Sequence, residues 1–274
     1  MYQKPTVPRS IGGVLDDTLQ LFKASIPSCW LPALLVSLVT GVLSYAVIAA
    51  MPVTATLRST ELLARYRLLI GTFGIWYLVV IVLSLVLYGM LIVNVVAVSR
   101  GETPAFGASL AKAARRAPSL FLGSLIFGIA IAIGFLLLVI PGFYVWNRLQ
   151  LYMVPLVTES QGPGESLGTS WRLVGGNWWR TAAVVTVVII ILFVLELVLG
   201  VLAGIIGAIG GGGLSGSPAV LAARMSLITL IVGAVVRIFT LPLVFAAFVA
   251  IYQDLQLRKG GGDLEARLGA LSKG

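Results

Sequence analysis

Apolar runs recur along the chain, and the short polar stretches between them hold most of the charge. Six runs read as membrane-crossing helices, because crossing roughly 30 Å of hydrocarbon takes about 20 apolar residues. They are Ile26 to Met51, Leu68 to Val98, Ser119 to Ile140, Phe143 to Thr158, Thr181 to Ile209, and a last run that opens near Ala219 to Met225 and ends near Gln253. The polar stretches around 10–24, 105–117 and 165–177 have a different pattern. In the first, Ser10 is placed to cap a helix, and Ile11, Leu15, Leu19 and Phe22 recur at helical spacing with Asp16, Asp17 and Lys23 off that face. Such a narrow apolar face predicts a helix lying along the interface.

The pattern therefore predicts an all-α polytopic membrane protein of about six transmembrane helices with short amphipathic in-plane helices. One membrane domain is expected over 1–257, followed by a charged, weakly ordered tail over 258–274. An in-plane helix precedes each odd span, so three helix-plus-hairpin units are a candidate internal repeat. Small residues recur four apart in the same spans: Ala33, Ser37 and Gly41; Ser124, Gly128 and Ala132; Gly200, Gly204 and Ala208. Each trio shares one helix face and would let backbones approach closely.

The window Val139 to Thr181 concentrates the polar features. Pro141-Gly142 predicts a tight turn, so the third and fourth spans form an antiparallel hairpin. The fourth span carries Asn147, Arg148 and Gln150 and is kinked at Pro155. Gly162-Pro163-Gly164 then breaks the chain, and Glu159 and Glu165 flank that turn, where capping of the next helix accounts for Glu165. Trp178, Trp179 and Arg180 form the aromatic and cationic edge expected where a helix meets headgroups, and Trp146 is a further candidate anchor.

Composition narrows the function classes. The chain is 59% hydrophobic and 11% charged with mean hydropathy +1.05, values of a membrane protein. It contains no histidine, which removes imidazole acid–base chemistry, Ser–His nucleophiles and histidine metal ligands together. Cys29 is the one cysteine, so no intrachain disulfide forms, and it reads as a small apolar residue of the first span. The net charge of +9 lies on no polar basic face, so nucleic acid is not an expected partner. Met1 to Ser25 has no signal-peptide pattern. Gly210 to Gly213 lacks the strand and the Lys-Ser/Thr pair of a phosphate loop.

The cations set the expected orientation. Lys4, Arg9 and Lys23, then Arg100, Lys112, Arg115 and Arg116, then Arg172 and Arg180, and finally Arg258, Lys259, Arg267 and Lys273 share one side if both termini do. Arg58, Arg65, Arg67 and Arg224 take the other. The positive-inside bias predicts cytoplasmic termini and contact with anionic headgroups at that face.

Ionisable residues within spans are candidate functional groups by default. Arg148, Glu196 and Arg237 qualify. At 1.5 Å per residue Glu196 and Arg237 both lie on the order of 16 Å below the outer surface, and Arg148 roughly 9 Å from the Pro141-Gly142 turn. That matching depth suggests an ion pair locking two helices. With two cations against one anion, a spare guanidinium in a cleft is the alternative, suited to a phosphate or carboxylate. Asn147, Gln150 and Asn94 read as interhelical hydrogen-bonding groups. No catalytic, cofactor-binding or metal-binding set is expected.

Arg9-Ser10-Ile11-Gly12 with Leu15-Asp16, Ile140-Pro141-Gly142, Arg148, Pro155, Glu159, Glu165-Ser166-Leu167, Ser170-Trp171-Arg172-Leu173 and Trp179-Arg180 together resemble a known group. These are uncharacterised bacterial inner-membrane proteins related to the membrane domain fused to some glycerophosphodiester phosphodiesterases. The resemblance implies an inner-membrane location and fold. It implies no phosphodiester chemistry, because the catalytic domain is not in this sequence. The expected function is non-enzymatic: handling of a lipid or amphiphile, or passage of a small anionic solute. The alternative is an accessory or scaffold subunit that stabilises a membrane protein partner.

Overall fold

The computed structural model describes residue 2 and residues 4–50, 59–210 and 218–271; the side chains of 47–50, 59–66, 69, 70, 72, 203, 206–210, 218–230 and 261–271 lie outside that description. The described residues form nine helices and no strands. They are α1 (Ile11–Ala50), α2 (Ser59–Ser99), α3 (Phe106–Arg115), α4 (Ala117–Leu137), α5 (Val139–Leu149), α6 (Met153–Thr158), α7 (Pro163–Val174), α8 (Trp178–Gly210) and α9 (Pro218–Leu271). Five of them are long and apolar enough to cross a membrane, namely α1, α2, α4, α8 and α9.

Ser10 caps α1 as expected, its Oγ accepting the Gly13 N–H at 3.1 Å. The predicted separate in-plane helix over 10–24 is not found, because α1 runs unbroken from Ile11 to Ala50. The face carrying Val14 and Leu21 is buried in the common core instead of resting on lipid. Pro27 and Pro32 sit inside this helix, and a proline deprives the carbonyl four residues earlier of its N–H partner. For Pro32 that carbonyl is Ser28, and the Asn94 side-chain amide of α2 donates to it at 2.8 Å. Asn94 thus bonds one helix to the other, as its place in an apolar span suggested.

The fourth expected span is also corrected. Residues 139–158 form two short helices, α5 and α6, separated by a turn. Pro155 has no N–H for the Leu151 carbonyl, and the Val154 N–H takes it at 3.1 Å in a tighter three-residue closure that pinches the helix. The reversal before α5 lies at Leu138, which is extended, and Pro141-Gly142 falls within the first turn of α5. The hairpin itself is as expected: a Cβ on Gly134 would come within 3.0 Å of the Gly142 Cα.

The core brings α1, α2, α8 and α9 together with α5 to α7. Cys29, Ala33, Ile92, Leu151, Val154, Val174, Val185, Ala246 and Val249 are all buried in one cluster. In lipid, apolar burial gives little net drive between helices, so close packing of small residues and interhelical hydrogen bonds are the sources of cohesion. Among the described side chains the first small-residue trio serves this purpose best, with Ala33 and Ser37 buried, while Ser124 of the second is half-buried. Gly128 and Ala132 of α4 and Gly200 and Gly204 of α8 are exposed, and Ala208 lies outside the described side chains.

The chain ends meet at one end of the bundle. The Arg9 N–H donates to Asp254 Oδ1 at 2.8 Å, and the same carboxylate pairs with Arg180 at 3.1 Å and Arg258 at 3.0 Å. Both the Arg180 and the Arg258 guanidinium donate to the Arg9 carbonyl, and Arg9 pairs with Asp17 at 3.6 Å. Gln253 donates to Ser99 at 3.0 Å, while Tyr252 and Gln256 donate to Glu159 at 2.6 and 3.0 Å. The N-terminal segment, the end of α2, the end of α6, the start of α8 and residues 252–258 of α9 therefore share this clasp. Glu159 is a tether for α9, whereas Glu165 accepts the Gly162 N–H at 3.3 Å and caps α7 as read from sequence. The charged segment from 258, expected as a tail, begins within α9, whose bounds run to Leu271. The loop expected at Gly210 to Gly213 falls largely outside the described residues, as does Pro52 to Arg58 of the first connection.

Candidate functional site: an arginine between aromatic rings

Tyr144 and Arg148 are four apart on α5, so their side chains stack on one helix face. The Arg148 guanidinium carbon lies 5.0 Å from the centre of the Tyr144 ring and 4.5 Å from that of Trp171 on α7. The two rings meet nearly edge to face, at 86° with centroids 6.0 Å apart. A guanidinium on aromatic faces gains cation–π attraction and keeps its N–H edge for an acceptor.

Four hydrogen bonds fix the cage. Ser170 Oγ donates to the Arg148 carbonyl at 2.7 Å, which sets the register of α7 against α5. Asn147 Nδ2 donates to the Trp178 carbonyl at 3.2 Å, and Trp178 Nε1 donates to the Tyr144 carbonyl at 3.4 Å, which together hold the start of α8. Gln150 Nε2 donates to Asn147 Oδ1 at 2.7 Å. Gly176, at φ +83°, makes the reversal from α7 into α8 that brings Trp178 back onto Tyr144. Trp178 stacks on Tyr144 at 5.7 Å and meets Trp179 edge-on at 4.6 Å, and Trp179 itself is 81% exposed.

Two polar atoms in this region are buried without a protein partner: Arg148 Nε and Gln150 Oε1. The ion pairs among the described residues are those of Arg9 with Asp17 and of Arg180 and Arg258 with Asp254, so Arg148 is in none of them. A fixed cation without an acidic neighbour, ringed by exposed aromatics, is a ready acceptor site for an anion.

The remaining candidates are placed elsewhere. Glu196 and Arg237 form no ion pair with each other. Val184, Val185 and Val188 are buried on α8, and Leu192, Leu195 and Leu199 continue that stripe half-buried. Glu196 lies one position round the helix from it and is exposed. Depth alone could match the two residues, but helical phase turns Glu196 outward. Arg237 donates to the Thr40 hydroxyl of α1 instead. Asn147 and Gln150 adjoin Arg148, so the structure gathers three of the five candidates.

Sequence reasoning passed over Asp254. Its signal was present, since an acid in the last apolar run with Arg258 four residues on is a helical ion pair. Trp171 was noted only as part of a resemblance, because its approach to Arg148 depends on how α7 folds back.

Residues 8–255 match a family described as a domain of unknown function, DUF7847. The chain belongs to the DUF7847 family. No curated protein and no solved structure matches it. The DUF7847 description carries no activity, and no match names the phosphodiesterase-linked membrane domain that the sequence resembles, so the aromatic-caged arginine stands on its own chemistry.

Proposed function

We propose that this DUF7847 protein is a non-enzymatic, multi-pass membrane protein that holds an amphiphile with an anionic headgroup at Arg148. The carrying observation is a guanidinium fixed between Tyr144 and Trp171 with no acidic partner among the described residues. A phosphate or carboxylate accepts charge-assisted hydrogen bonds from the free guanidinium edge, while Trp178 and Trp179 rest at headgroup level as interfacial aromatics do. The cation count supports an inner-membrane location with both termini cytoplasmic, so the headgroup would belong to the cytoplasmic leaflet.

Native mass spectrometry of the purified protein tests this. The parent retains anionic lipid, and Arg148→Gln retains one bound lipid fewer while unfolding at a similar temperature. Equal retention by the variant would refute the reading.

One observation favours the accessory-subunit alternative. Gly128, Gly200 and Gly204 have nothing within 4 Å of where a Cβ would stand, so they offer small-residue faces for another helix. Gly128→Leu would then lose a co-purifying membrane protein and keep its lipid.

A further inference from the structure

A groove of about 560 Å³ lies between α1 and α2, lined by Thr40, Leu43, Ser44, Tyr77, Ile81 and Ser84 among others. The lining is mostly aliphatic and aromatic, with hydroxyls from both helices. Ser84 is only 7% exposed, and its Oγ is buried without a hydrogen-bond partner. A serine within a helix ordinarily returns its hydroxyl to a carbonyl of the preceding turn, as Ser37, Thr40 and Ser44 do here. Ser84 does not, and an unsatisfied hydroxyl at the wall of a groove calls for an acceptor or donor from outside the protein.

Arg237 stands beside the same groove. Its guanidinium donates to the hydroxyl of Thr40, a lining residue, and the side chain is exposed. Among the described residues its partner is thus a neutral hydroxyl, which leaves the positive charge uncompensated there. Depth identifies the acceptor. Arg237 lies about 25 Å along α9 from Asp254 at 1.5 Å per residue. With the Asp254 clasp at one boundary of a hydrocarbon layer roughly 30 Å thick, the Arg237 backbone lies about 5 Å inside the other boundary, shallower than the depth expected from sequence, and its long side chain spans that distance to the opposite headgroups.

We infer that the α1–α2 groove is a second lipid site, which takes an anionic phospholipid from the leaflet opposite the clasp. Its phosphate bonds to Arg237 at the rim, and an acyl chain lies along Leu43, Val80, Ile81 and Leu85. Ser84 gives its hydroxyl to the ester region. This site shares no residue with the Arg148 cage and does not rest on the reading of that residue.

The test is photo-crosslinking of the full chain in vesicles of phosphatidylcholine and phosphatidylglycerol. Leu43→benzoylphenylalanine reports the groove, and Ile129→benzoylphenylalanine on the exposed face of α4 reports bulk lipid. Phosphatidylglycerol adducts at Leu43 should exceed their share at Ile129 by roughly tenfold, the scale of one charge-assisted contact. Arg237→Gln should return them to the bulk share, and Arg237→Lys should keep the enrichment, which separates lost charge from misfolding. Ser84→Phe should lower all adducts at Leu43 by filling the groove. Arg148→Gln should change nothing at Leu43, whatever it does to lipid retention elsewhere. Adducts at Leu43 in the bulk ratio, or an enrichment that survives Arg237→Gln, would overturn the site. So would enrichment abolished by millimolar inorganic phosphate, which would show a free-anion site in place of a lipid one.

Discussion

Asn94 completes a hydrogen bond that Pro32 removes. The carbonyl of Ser28 has no helical N–H to accept because residue 32 is proline, and the Asn94 amide reaches it from α2 at 2.8 Å. Asn94 is 2% exposed, so no solvent replaces this donor.

Asn94→Leu should therefore destabilise the fold by about 1–2 kcal/mol, the cost of an unsatisfied buried carbonyl and a lost interhelical bond. Pro32→Ala restores an intrahelical N–H to Ser28. In the Pro32→Ala background the cost of Asn94→Leu should fall by half or more. A thermal or denaturant double-mutant cycle in detergent measures this coupling, and strict additivity would rule it out.

Asp254 is the hub of the clasp, 3% exposed and facing Arg180, Arg258 and the Arg9 N–H. Asp254→Asn leaves two guanidinium groups beside a neutral amide. The expected loss is about 3 kcal/mol, the low end for breaking a buried pair, because both arginines retain some solvent contact. Proteolysis should then cut the chain near Arg9 at least tenfold faster, since Arg9 is held by this carboxylate.

A Cβ on Gly142 would stand 2.5 Å from two carbons of the Phe135 ring, closer than packed atoms come. Gly142→Ala should cost about 1–3 kcal/mol through overpacking of the α4–α5 hairpin. Adding Phe135→Ala should recover most of that by clearing the ring. Gly128→Ala on the open face of the same hairpin should stay within about 0.5 kcal/mol of the parent.

Tyr2 donates to Gln253 at 3.3 Å, and burial, then the nearby Asp17 charge, pushes its phenol up to about 12, against the opposing pull of Arg9. The folded state thus favours the protonated form. The docking of the N-terminal segment should be intact below pH 10, the ordinary tyrosine value, and should weaken as pH rises from 10 to 12. Protease access to residues 4–9 against pH should show this loss, and Tyr2→Phe should remove the dependence across that window.

The clasp holds Arg9 and Asp254 together, so both terminal segments should face one side of the membrane. The α4–α6 hairpin does not alter this count, because α6 ends at Glu159 on Tyr252, back at the clasp. In a Cys29→Ala background, cysteines at Ala108 and Gln161 should resist an impermeant thiol reagent in intact cells, and one at Thr60 should react. Labelling at Ala108 with protection at Thr60 would reverse the proposed orientation.

Much of this protein follows from local sequence. Long apolar runs without charge must become helices in lipid, since each backbone N–H and C=O needs a partner within its own segment. Ser10, Glu165 and Gly162-Pro163-Gly164 mark helix boundaries through contacts within a few residues, and these boundaries stand in the structure. The break near Pro155 was visible for the same reason, although its consequence, two short helices in place of one span, depended on how the Leu151 carbonyl was satisfied.

Side-chain partners across helices were decided only by tertiary structure. Depth along a helix can be counted from sequence, but the rotation that turns Glu196 away from Arg237 is set by which stripe of α8 packs on its neighbours. Likewise Trp171 reaches Arg148 only because Gly176 reverses the chain and Ser170 fixes the register of α7. Composition and periodicity determined that the chain is helical and apolar enough for a membrane. Packing determined which charges are neutralised, at Asp254, and which guanidinium is left on aromatic faces, at Arg148, because burial, phase and close approach are properties of pairs of elements and not of either one alone.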